Sequence, residues 1–207
     1  MDKTIPFKAV IWDLGGVILR TENWEPRRRL DEMLGLPDGK LYELVFESDV
    51  SRKATVGEAS NDDIWMWVGE QLGLSNDELT HVREEFWSGD QIDRDIVNFI
   101  RTQKDQTSMG LLSNGWPSTR HFLEERWQIS DIFDDIIVSA EVGVAKPNLP
   151  IYQLALDRLG IEAEQAIFVD DFKENIEGAL DVGIHGIYFQ DPLSALETLK
   201  HLLNIHT

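Results

Sequence analysis

Short apolar runs and amphipathic stretches divide this chain into an opening strand, a long helical segment and an alternating second half. Phe7 to Trp12 is an apolar run ending in Asp13-Leu14-Gly15-Gly16, the pattern of a strand buried on both faces. From Trp24 to about Gly89 the spacing turns helical and offers no convincing strand. Leu30, Met33 and Leu34, then Leu41, Leu44 and Val45, then Ile64, Trp67 and Val68 recur at i, i+3 and i+4. Gly35 and Gly73 stand where helices stop, and Ser75-Asn76-Asp77-Glu78 has the form of a capping box. A small helical unit inserted after the first strand is expected.

The alternation begins at Ile92. Helices are predicted over about 92–104, 118–127, 149–159 and 173–182, the last two stopped by Gly160 and Gly183. Strands are predicted at Ser108–Leu112, Ile136–Val138, Ala166–Val169 and Ile184–Phe189. Asp191-Pro192 supplies an N-cap and a first-turn proline for a final helix. Strand and helix in turn predict an α/β fold, a parallel sheet covered on both faces.

Composition narrows the class. The 207 residues suffice for one large core, alone or with a small accessory domain, and 42% are hydrophobic, so a packed fold is expected. No apolar run approaches the ~20 residues of a membrane span. Residues 1–6 carry no apolar signal core and lead straight into the first strand. Cysteine is absent, which excludes disulfides and thiolate metal sites and fits a cytoplasmic protein. The net charge of −19 repels nucleic acid and anionic membranes, so neither is expected as a partner. A phosphorylated substrate would need local positive charge, which a divalent cation with Lys146 would supply.

Ligands of parallel sheets bind beyond the carboxyl ends of the strands. Asp13, Ser113 and the pair Asp170-Asp171 all follow predicted strand ends, so topology gathers them at one edge. Asp13 alone reads as a turn cap; in this company it reads as a nucleophile, with Gly15-Gly16 permitting close backbone approach. Ser113-Asn114-Gly115 is either a polar turn or an anion cradle of hydroxyl and N–H groups. Lys146, ahead of Pro147, is either a loop lysine or a point charge bridging phosphate and carboxylates. Asp170-Asp171 is the strongest signal, because adjacent carboxylates repel unless a cation lies between them. Asp62-Asp63 opens a helix and Asp134-Asp135 precedes its strand at the opposite edge, so both read as structural. The five histidines show no ligand spacing. Trp24, Trp87 and Trp116 read as packing or pocket lining, and Arg27-Arg28-Arg29 as a solvated helix face.

These motifs, in this order, resemble those of the haloacid dehalogenase-like hydrolase superfamily over nearly the whole chain. Asp13-Leu14-Gly15-Gly16-Val17, Ser113, Lys146-Pro147 and Phe168-Val169-Asp170-Asp171 match its four motifs. Ile151-Tyr152, Leu159-Gly160 and Asn175-Ile176 add to the likeness, and Val56-Gly57-Glu58-Ala59-Ser60 resembles a stretch of its caps. The resemblance implies a Rossmann-like core from residues 1–20 and 91–207 and a small helical cap from residues 21–90. It implies a Mg²⁺-dependent phosphatase of a small phosphorylated metabolite, with Asp13 forming an aspartyl-phosphate. Asp13, the Gly15 backbone carbonyl, Asp170 and Asp171 would hold Mg²⁺. Ser113, Asn114, Gly16 and Lys146 would hold the phosphate, with Ser113 and Lys146 also catalytic. Asp171 would orient Lys146 or a metal-bound water. Trp24, Glu47, Lys53 and Trp87 are the cap residues implied near the substrate.

The chain departs from the family pattern at Gly15, where phosphatases usually carry a second aspartate. Glycine keeps the carbonyl for the metal but removes the acid–base side chain, worth ~10²–10⁴-fold. An ester with an acidic leaving group is therefore expected, such as a sugar 1-phosphate, acyl phosphate or aryl phosphate. The Asp-Leu-Gly motif is itself similar to that of sugar-1-phosphate phosphatases. Three alternatives share part of this equipment. One is a catalytically weak regulatory or phosphate-binding protein of the same fold. Another is a 2-haloacid dehalogenase, which attacks carbon without metal and which Asp170-Asp171 argues against. The third, a phospho-accepting receiver domain, would place its acid pair first in the chain rather than last.

Overall fold

The computed structural model describes residues 7–205; the expectations for residues 1–6 and for His206 lie outside it. Strand β1 (Ala9–Trp12) is followed by a short strand β2 (Leu19–Thr21) and five helices. These are α1 (Glu25–Met33), α2 (Lys40–Phe46), α3 (Asp49–Thr55), α4 (Asn61–Leu72) and α5 (Asn76–Phe86). Strand β3 (Asp90–Ile92) leads out of them to α6 (Arg94–Gln103) and β4 (Ser108–Ser113). A one-turn α7 (Thr119–His121), β5 (Asp135–Val138) and α8 (Ser139–Val142) come next. The chain closes with α9 (Leu149–Leu159), β6 (Ala166–Asp170), α10 (Lys173–Asp181), β7 (His185–Tyr188) and α11 (Pro192–Leu202).

Five of these strands form one parallel sheet in the order β5-β4-β1-β6-β7, as the alternation predicts. Side chains alternate across a strand, so β1 feeds two cores. Val10 and Trp12 pack with Ile96, Ile100 and Leu199 on one face; Ile11 packs with Tyr152, Ala155 and Ile176 on the other. Each fully buried aliphatic side chain contributes about 1.5–3 kcal/mol. A four-residue strand is therefore held by its two helical layers rather than by its own propensity.

The helical insert has a third core of Leu30, Leu41, Val45, Trp65, Val68, Val82 and Phe86. The stop at Gly73 and the start at Ser75 fall where the sequence indicates. Ser60 with Asp63, and Ser75 with Glu78, form reciprocal capping boxes, and Gly73 ends α4 at φ +65°. Met33, expected on the buried stripe, is 58% exposed.

Other expectations need correction. The insert is entered and left through an antiparallel ribbon, Leu19 opposite Ile92 and Thr21 opposite Asp90, where no strand was expected. Three-residue strands carry no periodicity of their own; this pair is fastened by Thr21 Oγ1 donating to Asp90 Oδ1 at 2.7 Å. The helix expected over 118–127 is one α-turn followed by a π-helical segment, Phe122–Arg126, with the Trp127 N–H on the Phe122 carbonyl. Strands β4 and β6 each run one residue further, because parallel neighbours continue the ladder at Ser113–Val138 and Asp170–Tyr188. Ser113 and Asp170 are thus the last residues of their strands. Among the described residues no helix is long and apolar enough to cross a membrane.

The insert is seated on the sheet edge by polar contacts. Ser139 Oγ lies 2.7 Å from the Thr55 carbonyl and 3.2 Å from that of Gly115, and the Ser118 N–H donates to Asn61 Oδ1. Gly57, at φ +79°, lies so close that a Cβ there would sit 2.3 Å from the Ala140 carbonyl oxygen.

Candidate active site

The carboxyl ends of β1, β4 and β6, with the loop after α8, bring Asp13, Ser113, Lys146, Asp170 and Asp171 together. Lys146 Nζ donates to Asp13 Oδ1 at 2.5 Å and to Asp170 Oδ2 at 2.6 Å, and all three side chains are buried. One ligand oxygen from each of Asp13, Asp170 and Asp171 lies within 4.8 Å of the others. Asp170 is held from several sides: Oδ1 accepts the Phe172 N–H, and Asn175 Nδ2 reaches both carboxylate oxygens at 3.0 Å.

Electrostatics follow from this crowding. Burial pushes the Asp13 carboxyl up to about 7, against the pull of Lys146, with Asp170 and Asp171 adding to the rise. Burial and the neighbouring Asp170 push Asp171 up to about 6. Burial alone would lower the Lys146 pKa, but the two carboxylates outweigh it and keep the ammonium charged. Asp171 Oδ1 is buried without a hydrogen-bond partner. Three converging carboxylates, one with an orphaned oxygen, fit a hard divalent cation that takes oxygen ligands.

Two groups of the expected phosphate residues are engaged elsewhere, the Gly16 N–H and the Asn114 side chain. The Gly16 N–H donates to the Leu19 carbonyl rather than facing the site. Gly16 sits at φ +81°, and a Cβ there would lie 2.0 Å from Asp171 Oδ2, so its role is the notch that receives Asp171. The Asn114 side chain is bound to the Lys146 backbone, Oδ1 accepting its N–H at 2.8 Å and Nδ2 donating to its carbonyl at 2.9 Å. Ser113 Oγ makes no hydrogen bond among the described residues. At Gly15 an added Cβ meets nothing within 4 Å, so room for the missing side chain persists.

Above the cluster the insert presents aromatic rings. Trp24, Tyr42, Phe46 and Trp116 follow one another at centroid distances of 6.0, 4.7 and 5.3 Å. Trp116 belongs to the loop carrying Asn114. Tyr42 lies near enough to Asp171 for that carboxylate to raise its pKa further after burial, while Arg27 pulls it down. Trp87 closes the strip edge-on to Phe46 and Trp116. Arg27 departs from the expectation of a solvated face. It is buried, bound through NH2 to both Asp90 oxygens at 2.9 Å, and lies 4.3 Å from the Phe86 ring centroid. Burial lowers its pKa and raises that of Asp90. Arg28 and Arg29 are exposed. Glu47 is exposed beside Tyr42, and Lys53 is exposed on α3. The other two acid pairs are structural, as expected: Asp62 pairs with Arg83, Asp63 caps α4, Asp134 accepts the Met109 N–H and Asp135 pairs with Arg158.

Sequence reading missed Tyr42, Asp90 and the role of Asn175. Tyr42 and Phe46 stand four residues apart on α2, a face visible in the sequence. Asp90 carried no local signal.

A buried carboxylate, a lysine and an acid pair thus meet at the carboxyl edge of a parallel sheet that carries an inserted helical unit. Residues 7–183 match the haloacid dehalogenase-like hydrolase family, and the chain belongs to it. It is 29% identical over 198 residues to the sesquiterpene phosphatase astK of Aspergillus oryzae, covering 95% of this chain and 97% of that one. It is 28% identical over 193 residues to a phosphorylated carbohydrates phosphatase of Thermotoga maritima, covering 87% and 84%. A haloacid dehalogenase family enzyme of Bacteroides thetaiotaomicron, solved with magnesium and inorganic phosphate, shares the fold. Its TM-score is 0.75 at 18% identity, over 92% of this chain and 98% of that one.

Proposed function

We propose that this chain is a Mg²⁺-dependent phosphatase in which Asp13 takes the phosphoryl group from a small phosphorylated metabolite and passes it to water. The observation that carries the reading is the buried Asp13–Lys146–Asp170 bridge beside Asp171. The names of the two phosphatase relatives support it.

The Asp13 carboxylate attacks phosphorus and the ester oxygen departs, leaving an aspartyl-phosphate. Lys146 has a third N–H beyond its two carboxylate bonds, and with the Ser113 hydroxyl it faces charge spreading onto the equatorial oxygens. Water then attacks phosphorus and frees Asp13. Asp13, Asp170, Asp171 and the Gly15 carbonyl would hold Mg²⁺, which when bound offsets the repulsion between the phosphate and these carboxylates. Residues 21–90 act as the cap that covers the site and excludes water.

Two features bear on the substrate. Position 15 offers no proton to a leaving group, which favours acidic ones. The strip Trp24–Tyr42–Phe46–Trp116 offers mostly ring surface, with two indole N–H groups and one phenol as its polar atoms, which favours a largely apolar body. An aryl phosphate meets both conditions; a sugar 1-phosphate meets the first. The glycine also favours a second reading, a phosphate-binding protein with weak turnover.

Phosphate release from aryl phosphate, sugar 1-phosphate, sugar 6-phosphate and nucleotide, with Mg²⁺ and with EDTA, tests this. Mg²⁺-dependent turnover lost in Asp13→Asn is expected, with the aryl ester fastest and the 6-phosphate slowest. No turnover on any ester sinks the phosphatase reading in favour of the binding one. Halide release from 2-haloacids without metal would point to dehalogenation instead.

A further inference from the structure

A groove of about 630 Å³ runs along α6 toward the end of the π-helical segment. Arg94 and Arg101 enter it from α6, and Arg126 enters from the segment's last residue, beside Trp127. The chain has eleven arginines. Eight of them stand in ion pairs with carboxylates. The remaining three, without a carboxylate partner among the described residues, are Arg94, Arg101 and Arg126, and all three line this one groove. No aspartate or glutamate lines it, although the chain contains 38.

Like charges lining one groove repel one another unless an anion joins them, and the carboxylate that feels Arg126, Asp90, is already paired with Arg27. Guanidinium forks suit phosphoryl and carboxylate oxygens, and phosphoryl groups offer the denser charge. Arg94 and Arg101 are two helical turns apart, about 10 Å of rise. The occupant must therefore present more than one anionic group. The volume lies within the ~300–1,000 Å³ of small-molecule sites. A long polyanion would meet the surrounding surface of a chain at net charge −19, whereas a compact one meets the arginines alone.

We propose that this groove binds a compact oligoanion carrying two or more phosphoryl groups, at a site separate from the catalytic cluster. None of its lining residues belongs to the loops bearing Asp13, Ser113, Lys146 or Asp170. Gln91 and Ile92 of β3 also line it, so an occupant touches the ribbon that carries the insert.

Calorimetric titration with inorganic triphosphate, in EDTA so that no metal contributes, tests the site. One saturable site per chain is expected in the wild type and in Asp13→Asn. Arg101→Gln/Arg126→Gln should weaken binding at least about tenfold, and Arg94→Gln should weaken it independently from the other end. Arg28→Gln/Arg52→Gln, which removes the same charge from exposed ion pairs, should bind as the wild type does. Citrate in place of triphosphate should bind more weakly. Three results would overturn the proposal: no saturable binding, equal weakening by the control pair, or loss in Asp13→Asn with retention in the groove variants. Tighter citrate binding would overturn the phosphoryl assignment.

Discussion

Asn114 and Lys146 are joined by two hydrogen bonds, of 2.8 and 2.9 Å, through the lysine's backbone. The amide of one active-site loop thereby fixes the origin of the ammonium delivered by another. Asn114→Ala leaves the charge in place but frees its anchor. A misplacement on the order of 1 Å costs roughly 10²-fold in rate. The variant is expected to keep its fold by circular dichroism and lose about that factor in kcat. Undiminished kcat would show that Lys146 is held by its two carboxylates alone.

Two adjacent glycines make a contrasting pair. Gly16 is at φ +81° with Asp171 filling the space of its Cβ, whereas the same atom at Gly15 meets nothing within 4 Å. Gly16→Ala should destabilise by about 1–3 kcal/mol from backbone strain and should weaken Mg²⁺ binding by displacing Asp171. Gly15→Ala should do neither. Denaturant melts and Mg²⁺ titrations of both variants check this, and equal effects would refute it.

The parallel sheet and its edge were legible because β1, β4 and β6 are local apolar runs stopped by a chemical residue. Val10 to Asp13 and Ile167 to Asp171 show this directly. The capping box at Ser75 was local too. What stayed hidden was non-local. The ribbon β2–β3 pairs residues about 70 positions apart, and Arg27 looks like its solvated neighbours until Asp90 arrives from the far side of the insert. The family resemblance implies Asn114 as a phosphate ligand, and only the fold shows that its side chain is bound to the Lys146 backbone.

The Arg27–Asp90 pair joins α1 to the ribbon in a buried setting where burial works against both charges. Asp90→Asn strands the guanidinium among aromatic rings, and breaking such a pair costs about 3–5 kcal/mol. Replacing both partners together, Arg27→Met with Asp90→Asn, should cost markedly less than the two single losses combined. Urea unfolding of the four-member cycle measures the coupling; additivity would remove the pair from the stability of the insert.

Magnesium uptake should release protons near neutral pH. In the metal-free protein burial raises Asp13 to about 7 and Asp171 to about 6, so both hold protons in the folded state over a range where the unfolded chain has lost them. A raised carboxyl contributes stability at low pH that is lost as pH rises through its folded value. The metal requires the deprotonated carboxylates, so affinity should climb from about pH 5.5 to 7.5. Calorimetry in buffers of different ionisation enthalpy counts the protons. Affinity independent of pH across that range would contradict the arrangement.

Restoring a carboxylate at position 15 probes the chemistry most directly. The open space beyond Gly15 lets Gly15→Asp enter without a steric clash, and its φ is not in the left-handed region. An added acid can protonate an alkoxide leaving group, an effect of ~10²–10⁴-fold in general acid catalysis. An aryl oxide leaves unaided and gains little. The variant should therefore raise turnover of a sugar 6-phosphate by at least about tenfold, with a much smaller change on aryl phosphate. That narrows the ratio between the two substrates. An equal gain on both would mean that the aspartate acts on the water step instead. No gain on either, with Mg²⁺ binding intact, would mean that glycine is matched to a leaving group that never needed a proton.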